Sequence, residues 1–407
     1  MKTTAALTAF LFASCWATLV HGVTLDWVSV GNPGNAGELS GWGAGGGGPN
    51  RICGGVDYTY RISKYEATTA QYVEFLNAVA DSDPNGLYNT DMWSEESGCK
   101  IERTGVEGSY NYSIAADRAN RPVNCVSFLD AMRFINWLEN GQPTGAQDAG
   151  TTEDGVYAIN PINDGLSEVR NPNATYFLPN DDEWYKAAYH KNDGVTGNYW
   201  DYATQSDIEP SNNLIDPDPG NNATFYYGDW PDPAGYTVGS PYWTTEVGEF
   251  ENSASAYGTY DQCGNVWEWN ESIILIDDDL YRGLRGGCFS FISYDMHANW
   301  TYGIGGFFAP TFESSFVGFR VASLLKPITL ADLDNDGDVD GNDFLAWQRG
   351  ESPNPLSAED LAIWQAQFGT TSAPSSSTTI PEPSALIICS LLTFIGIVLT
   401  LCRIKQR

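Results

Sequence analysis

The chain has 407 residues, more than one typical domain, with 20 Lys and Arg against 52 Asp and Glu and a formal net charge of −32. This balance excludes a protein that grips the phosphate backbone of nucleic acids, because that affinity depends on Lys and Arg. Only 18% of the residues are charged and 13% are aromatic, which excludes a long disordered acidic chain. Three His residues argue against a multi-histidine metal centre.

Residues 1–22 have the pattern of a secretory signal peptide. A charged start at Lys2 is followed by an apolar run from Ala5 to Val20, and cleavage is expected after Gly22. The sequence therefore predicts export, which permits disulfides. The cysteines outside the two terminal segments are Cys53, Cys99, Cys125, Cys263 and Cys288. Their number is odd, so at least one thiol is free or pairs between molecules.

Residues 23–325 are predicted to form the main domain. Helix starts are recognisable at Thr68, Ser127 and Asn180, each followed three residues later by Gln, Asp or Glu and then by apolar residues at helical spacing. Long stretches rich in Gly, Asn, Pro and Asp separate these starts, with few strand alternations. The pattern predicts an α+β domain with much irregular structure.

Six sequence blocks in this range follow the order of a known family. They are 64–72, 121–128, 178–184, 264–269, 285–287 and 318–320. Through them the chain resembles the formylglycine-generating enzyme, or sulfatase-modifying factor, family. The resemblance implies a loop-rich, C-type-lectin-like α+β fold that is stabilised by calcium.

The resemblance also implies a copper-dependent oxidase, since active members hold copper(I) with two cysteines after the Gly-Gly pair and use O₂ to oxidise a sulfatase cysteine. Aligned on Gly286-Gly287, those positions fall on Phe291 and Met296, and neither supplies a thiolate. Cys288 is the nearby thiol and our candidate catalytic residue. Copper would need Cys288 together with Cys263 or Met296. The alignment therefore predicts that formylglycine-generating activity is lost.

A structural calcium site is implied by the same resemblance. Asp261 and Glu268 would ligate Ca²⁺ through their side chains, and Gly264 and Val266 through their carbonyl oxygens. Ligation by oxygen alone suits calcium. The alternative is an aromatic core with a solvated Glu268. Arg320 is expected to pair with a buried carboxylate.

Residues 332–343 form the densest group of carboxylates. The spacing predicts a second calcium loop, with Gly337 at its sharp turn. Its predicted ligands are Asp332, Asp334, Asp336, Asp343 and the carbonyl oxygen of Asp338. Segment 328–369 thereby resembles a dockerin, a small helical calcium module.

A weak repeat follows this loop. Asp343 and Trp347 are echoed by Asp360 and Trp364, and each Trp lies four residues after its Asp on a predicted helix. The stretch before Asp360 lacks a second calcium loop. Two interpretations therefore stay open, a module that docks to a partner and a calcium-stabilised spacer.

The C-terminal end begins with a Ser/Thr-rich linker at 370–380. Segment 381–407 then contains Pro381-Glu382-Pro383, an uncharged stretch long enough to span a membrane as a helix, and a basic tail. This segment resembles a PEP-CTERM sorting signal. The resemblance implies an exosortase-type processing enzyme as partner and a transient membrane span. The alternative is a permanent anchor.

These features predict an exported, envelope-associated protein with a calcium-stabilised domain that binds a peptide or glycan. The aromatic residues of the segment 226–230, which are Tyr226, Tyr227 and Trp230, are candidates for ligand contact. The alternative is that they pack in the core. Two other functions stay open. One is an active oxidoreductase of the family that uses Cys288, and the other is a dockerin-like scaffold component.

Overall fold

The fold is described from a computed structural model. The residues described are 22–159, 165–228, 232–276, 278–300, 309–324, 331, 333, 339–352 and 356–369. The predicted signal peptide up to residue 21 and the segment 370–407 lie outside them. Within the described ranges no helix has the length and apolar character needed to cross a membrane. The chain divides into two compact units, Met1–Leu325 and Lys326–Arg407.

The larger unit combines short strands, helices and long loops. Its strands are β1 Trp27–Val30, β2 Glu38–Ser40, β3 Arg51–Cys53, β4 Tyr60–Ser63, β5 Ile101–Thr104, β6 Asn111–Ile114, β7 Tyr176–Phe177, β8 Trp267–Ile276, β9 Asp279–Arg285, β10 Val317–Phe319 and β11 Ala322–Ser323. Its helices are α1 Thr69–Val79, α2 Asp91–Ser94, α3 Phe128–Glu139 and α4 Asp181–Tyr189. This mixture confirms the predicted α+β class.

The strands form two main sheets. One is antiparallel in the order β1-β4-β11-β7, and the other has the order β10-β8-β9, with β10 parallel and β9 antiparallel to β8. Strands β2 and β3 form a separate pair, as do β5 and β6. The long strand β8 was not predicted. Trp267, Glu268 and Trp269 at its start are all buried, so the alternation that marks a half-exposed strand is missing there.

Three of the helices begin where the sequence predicts. The side chains of Thr68, Ser127 and Asn180 accept hydrogen bonds from the backbone N–H three residues on, and the side chain at that residue accepts from the cap's own N–H. Each capping box satisfies two N–H groups that the helix itself leaves free. Because these interactions join groups only three residues apart, the local sequence is enough to predict them.

Aromatic rings of α1, α3 and β10 fill the centre of the larger apolar cluster. The ring of Phe134 lies 5.4 Å from that of Phe75 and 5.3 Å from that of Phe319, both edge-on. A second apolar cluster surrounds α4 and includes Trp184 and Tyr189. The cysteines at 53, 99, 125, 263 and 288 are all buried in these clusters and unpaired.

The C-terminal unit contains α5 Gly341–Gln348 and α6 Ala358–Gln367. Trp347 and Trp364 lie on these helices, as the repeat predicts, and the ring of Phe344 packs at a tilt 4.8 Å from the ring of Trp364. Of the calcium ligands predicted in the loop 332–343, Asp343 alone lies in the described part. Residues 332, 334, 336 and 338 are outside it.

Candidate functional site

The first feature of the site is a buried ion pair between two of the sequence blocks. Glu268 on β8 accepts hydrogen bonds from Arg320 at both carboxylate oxygens, from Nε at 2.5 Å and from Nη2 at 2.7 Å, and neither side chain is exposed. A third block contributes Trp184, whose indole N–H donates to Glu268 over 2.7 Å. The predicted carboxylate partner of Arg320 is therefore Glu268.

Two further carboxylates lie close to this pair. Glu66 accepts from the side chain of Asn265 at 2.7 Å and from the backbone N–H of Val266 at 3.1 Å. Asp261 accepts from the backbone N–H of Gly248 at 2.6 Å. Burial, with the charges of Asp261 and Glu268, raises the pKa of Glu66 well above its usual range. Burial raises the pKa of Asp261 to about 7.

This arrangement bears on the calcium site implied at Asp261, Gly264, Val266 and Glu268. Both oxygens of Glu268 are already bonded to a guanidinium, so calcium would have to compete with Arg320 for that carboxylate. Among the described residues, no group of three or more His, Cys, Asp or Glu side chains is placed to hold a metal. Ligation of Ca²⁺ by these four residues stays a prediction, and at Glu268 it would require Ca²⁺ to replace the hydrogen bonds from Arg320.

A second buried ion pair connects the block of Trp184 to a fourth block, 285–287. Arg285 donates to Asp181 from Nε at 2.7 Å and from Nη2 at 3.0 Å, and both side chains are buried. Arg51 approaches the same carboxylate to 3.1 Å, and the thiol of Cys53 donates to it at 3.1 Å. Burial would raise the pKa of Asp181, but the two arginines hold it well below its usual range. The two buried ion pairs therefore connect sequence blocks that lie far apart along the chain.

The two positions that the sequence alignment assigns to copper-binding cysteines are filled by apolar side chains. Phe291 packs edge-on against Trp267 at 5.9 Å and lies 5.8 Å from the ring of Phe316. Met296 is fully buried. Its sulfur packs against Gly264, so closely that a Cβ atom at that position would lie only 3.2 Å from it. Both side chains serve packing, as their residue types indicate.

The remaining thiols do not compensate. Cys288 belongs to the larger apolar cluster, whereas Cys263 and Met296 belong to the cluster around α4. The thiol of Cys288 is fully buried and contacts Ser290 Oγ at 3.3 Å. Burial raises the pKa of Cys288 and that of Cys263 to about 12, so both stay protonated at neutral pH. Copper(I) prefers thiolates, and these residues do not fit a two-thiolate site.

A cavity of about 240 Å³ opens next to this region and was missed by the sequence analysis. Its aromatic lining is Tyr236, Trp243, Phe289 and Phe316, and its polar lining is Glu95, Glu96, Ser97, Ser290 and Ser315. Ser290 connects the cavity to the buried thiol of Cys288. No Lys or Arg lines it among the described residues. The lining comes from four distant segments, so no local pattern could reveal it.

Trp243 occupies an unusual position in this wall. Its backbone φ of +65° is an outlier for a bulky side chain, which strains it by about 1–3 kcal/mol. Its ring packs edge-on against Tyr236 at 4.8 Å, and its buried indole N–H has no partner within the described residues. Strained residues of this kind are concentrated at functional sites.

The aromatic stretch proposed for ligand contact is only partly exposed. Tyr226 is buried and packs 4.9 Å from the ring of Tyr236, so its prediction as a ligand contact is wrong and the core alternative holds for it. The side chain of Tyr227 is 61% exposed. Trp230 lies outside the described residues.

Comparison with known proteins gives one family match. A family model described as the sulfatase-modifying factor enzyme 1-like domain matches residues 56–325. No curated protein matches the chain. Solved structures similar to it include CarF, with 19% sequence identity and a TM-score of 0.42; the match covers 74% of this chain and 99% of CarF. Treponema denticola variable protein 1 has 18% identity and a TM-score of 0.40, and the match covers 73% of this chain and 94% of that one. PvdO from Pseudomonas aeruginosa has 18% identity and a TM-score of 0.39, and the match covers 74% of this chain and 94% of PvdO.

Proposed function

The chain belongs to the sulfatase-modifying-factor family, and from that premise we propose that it is an exported ligand-binding member without formylglycine-generating activity. The observation that carries this proposal is the packing of Phe291 and Met296 at the two copper-ligand positions. The fully buried, protonated thiol of Cys288 supports it further, because thiol and O₂ chemistry requires a thiolate. The ligand site is the aromatic cavity beside Ser290.

The copper content of the purified protein tests this proposal. We expect no stoichiometric, tight copper(I) binding and no oxidation of a sulfatase-type cysteine peptide, and we expect Cys288→Ser to change neither result, because the thiol stays protonated and buried. Competition titration with a chromogenic copper(I) chelator measures the metal, and mass spectrometry of the peptide measures the chemistry.

The alternative of an active oxidoreductase makes the opposite prediction. It would require one tightly held copper(I) per chain that is lost in Cys288→Ser, together with peptide oxidation. That result would overturn the proposal. Cys99→Ser provides the matched control, since Cys99 is also a buried free thiol and lies outside the segment after Gly287 that carries the copper-ligand positions.

We further propose that the loop 332–343 of the C-terminal unit binds calcium. Asp343 supports this, because its buried carboxylate accepts from the backbone N–H of Leu333 at 2.5 Å and from that of Asp340 at 2.7 Å. These bonds connect the last loop position to the start of the loop and to the cap of α5. An Asp-rich loop closed in this way carries a dense negative charge that Ca²⁺ neutralises.

Replacing Asp332 and Asp336 by Ala should remove one bound Ca²⁺ per chain, because both residues are predicted side-chain ligands. Inductively coupled plasma mass spectrometry of the protein after dialysis against calcium measures the content. The control is Asp360→Ala, which lies on α6 outside the loop and should leave the metal in place. Equal calcium content in the double variant and the wild type would contradict the assignment.

Export and association with the cell envelope form the last part of the proposal. The signal-peptide pattern of residues 1–22 and the sorting-signal pattern of 381–407 support it. An exosortase-type enzyme would then be a processing partner. Intact-mass measurement of the protein from its native host tests both cleavages, and an uncleaved N-terminus would rule out the export route.

A further inference from the structure

We infer that proteolytic cleavage between Gly22 and Val23 completes the fold, because the α-ammonium group that it creates on Val23 binds the side-chain oxygen of Gln142. The inference rests on the proposed export, in which residues 1–22 are a signal peptide. A membrane-bound protease of the signal-peptide-processing class would break the peptide bond with one molecule of water. Gly22 then leaves with a new carboxylate, and Val23 keeps a new ammonium.

Val23 is a core residue rather than a loose end. Its side chain is 7% exposed and belongs to the larger apolar cluster. Its carbonyl oxygen accepts from Gln142 Nε2 at 2.9 Å, and the carbonyl oxygen of Thr24 accepts from Gln71 Nε2 at 2.9 Å. The first residues of a chain are ordinarily poorly ordered unless they are tied down. Cleavage after Gly22 therefore produces a chain whose first residue is already anchored in the core.

The carboxamide of Gln142 is only half used by these contacts. Its Oε1 is buried and has no hydrogen-bond partner within the described residues, which is unfavourable for an acceptor. Oε1 lies against Gly22, so closely that a Cβ atom there would be 2.6 Å from it. The carboxamide thus contacts Gly22 through one atom and the carbonyl oxygen of Val23 through the other. The nitrogen of Val23 lies between these two points along the chain, and this places it beside Oε1.

Cleavage changes what the nitrogen of Val23 can donate. In the uncleaved chain it is a peptide N–H with one fixed direction, and it does not donate to Oε1 of Gln142. An ammonium group has three N–H donors that rotate about one bond, so one of them can be directed at Oε1 without moving the strand. Removal of Gly22 also clears the space beside this oxygen. A hydrogen bond from a charged donor is stronger than one from a neutral amide.

The end of α3 favours a positive charge at the same place. The helix ends at Glu139, and the backbone N–H of Gln142 donates to the carbonyl oxygen of Trp137 in the last turn, at 2.8 Å. Gln142 therefore lies against the C-terminal end of the helix, where the partial negative charge of the carbonyl groups stabilises cations. The peptide N–H of an uncleaved chain carries no full charge and gains little there. The processed chain should therefore be more stable than a chain with residues still attached to Val23.

The test is the insertion of Ser-Ser between Gly22 and Val23 in the full chain, exported by a bacterial host. Intact-mass measurement establishes the first residue of each processed protein. The insertion replaces the ammonium of Val23 by a peptide N–H. We expect it to lower the ratio of folded to unfolded protein about tenfold in urea unfolding.

A second background separates the proposed hydrogen bond from a general effect of the insertion. In Gln142→Ala the acceptor is gone, so the insertion should lower the ratio no more than about threefold, through the remaining attraction to the end of α3. Gln71→Glu is the matched control, because it loses the donor to Thr24 but keeps the oxygen that accepts from the N–H of Thr68. The insertion should keep its full effect in Gln71→Glu.

The reactivity of the α-amine gives a readout that does not depend on stability. In the protein without the insertion, the amine of Val23 should be acetylated at least about threefold more slowly than in Gln142→Ala, because its donors are engaged. Mass spectrometry of the N-terminal peptide measures both rates.

Three results would overturn the inference while leaving export in place. They are an equal effect of the insertion in the wild-type and Gln142→Ala backgrounds, equal acetylation rates in the two proteins, and a processed chain that begins at a residue other than Val23. An N-terminus that is never cleaved would instead defeat the proposed export itself.

Discussion

Replacing Arg320 by Met should destabilise the larger unit by about 3–5 kcal/mol, enough to unfold much of the protein at ordinary temperatures. The substitution leaves Glu268 buried without its guanidinium, and Glu66 and Asp261 lie in the same electrostatic environment. Removing one partner of a buried pair is costly because the other charge stays desolvated. Urea unfolding followed by tryptophan fluorescence measures the change.

Two comparisons sharpen this prediction. The double variant Glu268→Gln/Arg320→Met should be more stable than Arg320→Met alone, because it removes the stranded charge. Asp207 pairs with Lys191 at the surface, and its side chain is 51% exposed. Asp207→Asn weakens this pair and should change the free energy of unfolding by no more than about 1 kcal/mol. A loss of stability in Arg320→Met no larger than in Asp207→Asn would show that the pair is not structural.

Replacing Asp181 by Asn should also destabilise the protein by about 3–5 kcal/mol near neutral pH. The fully buried Arg285 would lose its carboxylate, and Arg51 would lose its ion-pair partner. Asn keeps the size of the side chain, so the change isolates the charge. Denaturant unfolding of the wild type and the variant at matched pH values gives the difference in the free energy of unfolding.

The effect of Asp181→Asn should depend on pH in a defined direction. The arginines lower the pKa of Asp181 in the folded protein, whereas in the unfolded chain it titrates near its ordinary value of about 3.9. Its contribution is therefore complete above about pH 5 and is lost as the pH falls through the folded pKa. The stability difference between wild type and variant should shrink on acidification below about pH 4.

Asp182→Asn is the matched control for this pH series. Asp182 lies beside Asp181 on α4, and its carboxylate accepts a hydrogen bond from the backbone N–H of Gly54 at 2.9 Å, which an amide oxygen can also accept. Burial raises its pKa rather than lowering it. If the difference in the free energy of unfolding between the wild type and Asp181→Asn stayed constant from neutral to acid pH, the ion-pair assignment would be contradicted.

Both ion pairs explain what the sequence blocks do. Glu268, Trp184 and Arg320 come from three blocks, and Asp181 and Arg285 connect one of these blocks to a fourth. These blocks therefore hold the loops of a fold with little regular structure, and this role does not require chemistry at the copper-ligand positions. A chain can retain the family's sequence signature and its fold while the reactive cysteines are replaced.

Much of the fold was determined by local sequence. The capping boxes at Thr68, Ser127 and Asn180 predicted α1, α3 and α4, because each depends on groups three residues apart. The loss of cysteines at Phe291 and Met296 also needed no structure, since neither residue type can supply a thiolate. The prediction of a calcium loop at 332–343 also depends on local sequence, namely the spacing of its Asp residues. Calcium binding there stays a prediction.

Tertiary structure decided the partners of buried groups. A carboxylate between Trp267 and Trp269 needs a cation, but the sequence does not distinguish Ca²⁺ from the guanidinium of Arg320, which follows Glu268 at a distance of 52 residues. Strand β8 lacked an alternating pattern because both of its faces are buried at its start. The cavity at Trp243 gathers side chains from four segments. Long-range packing alone brings such residues together, and no local spacing encodes it.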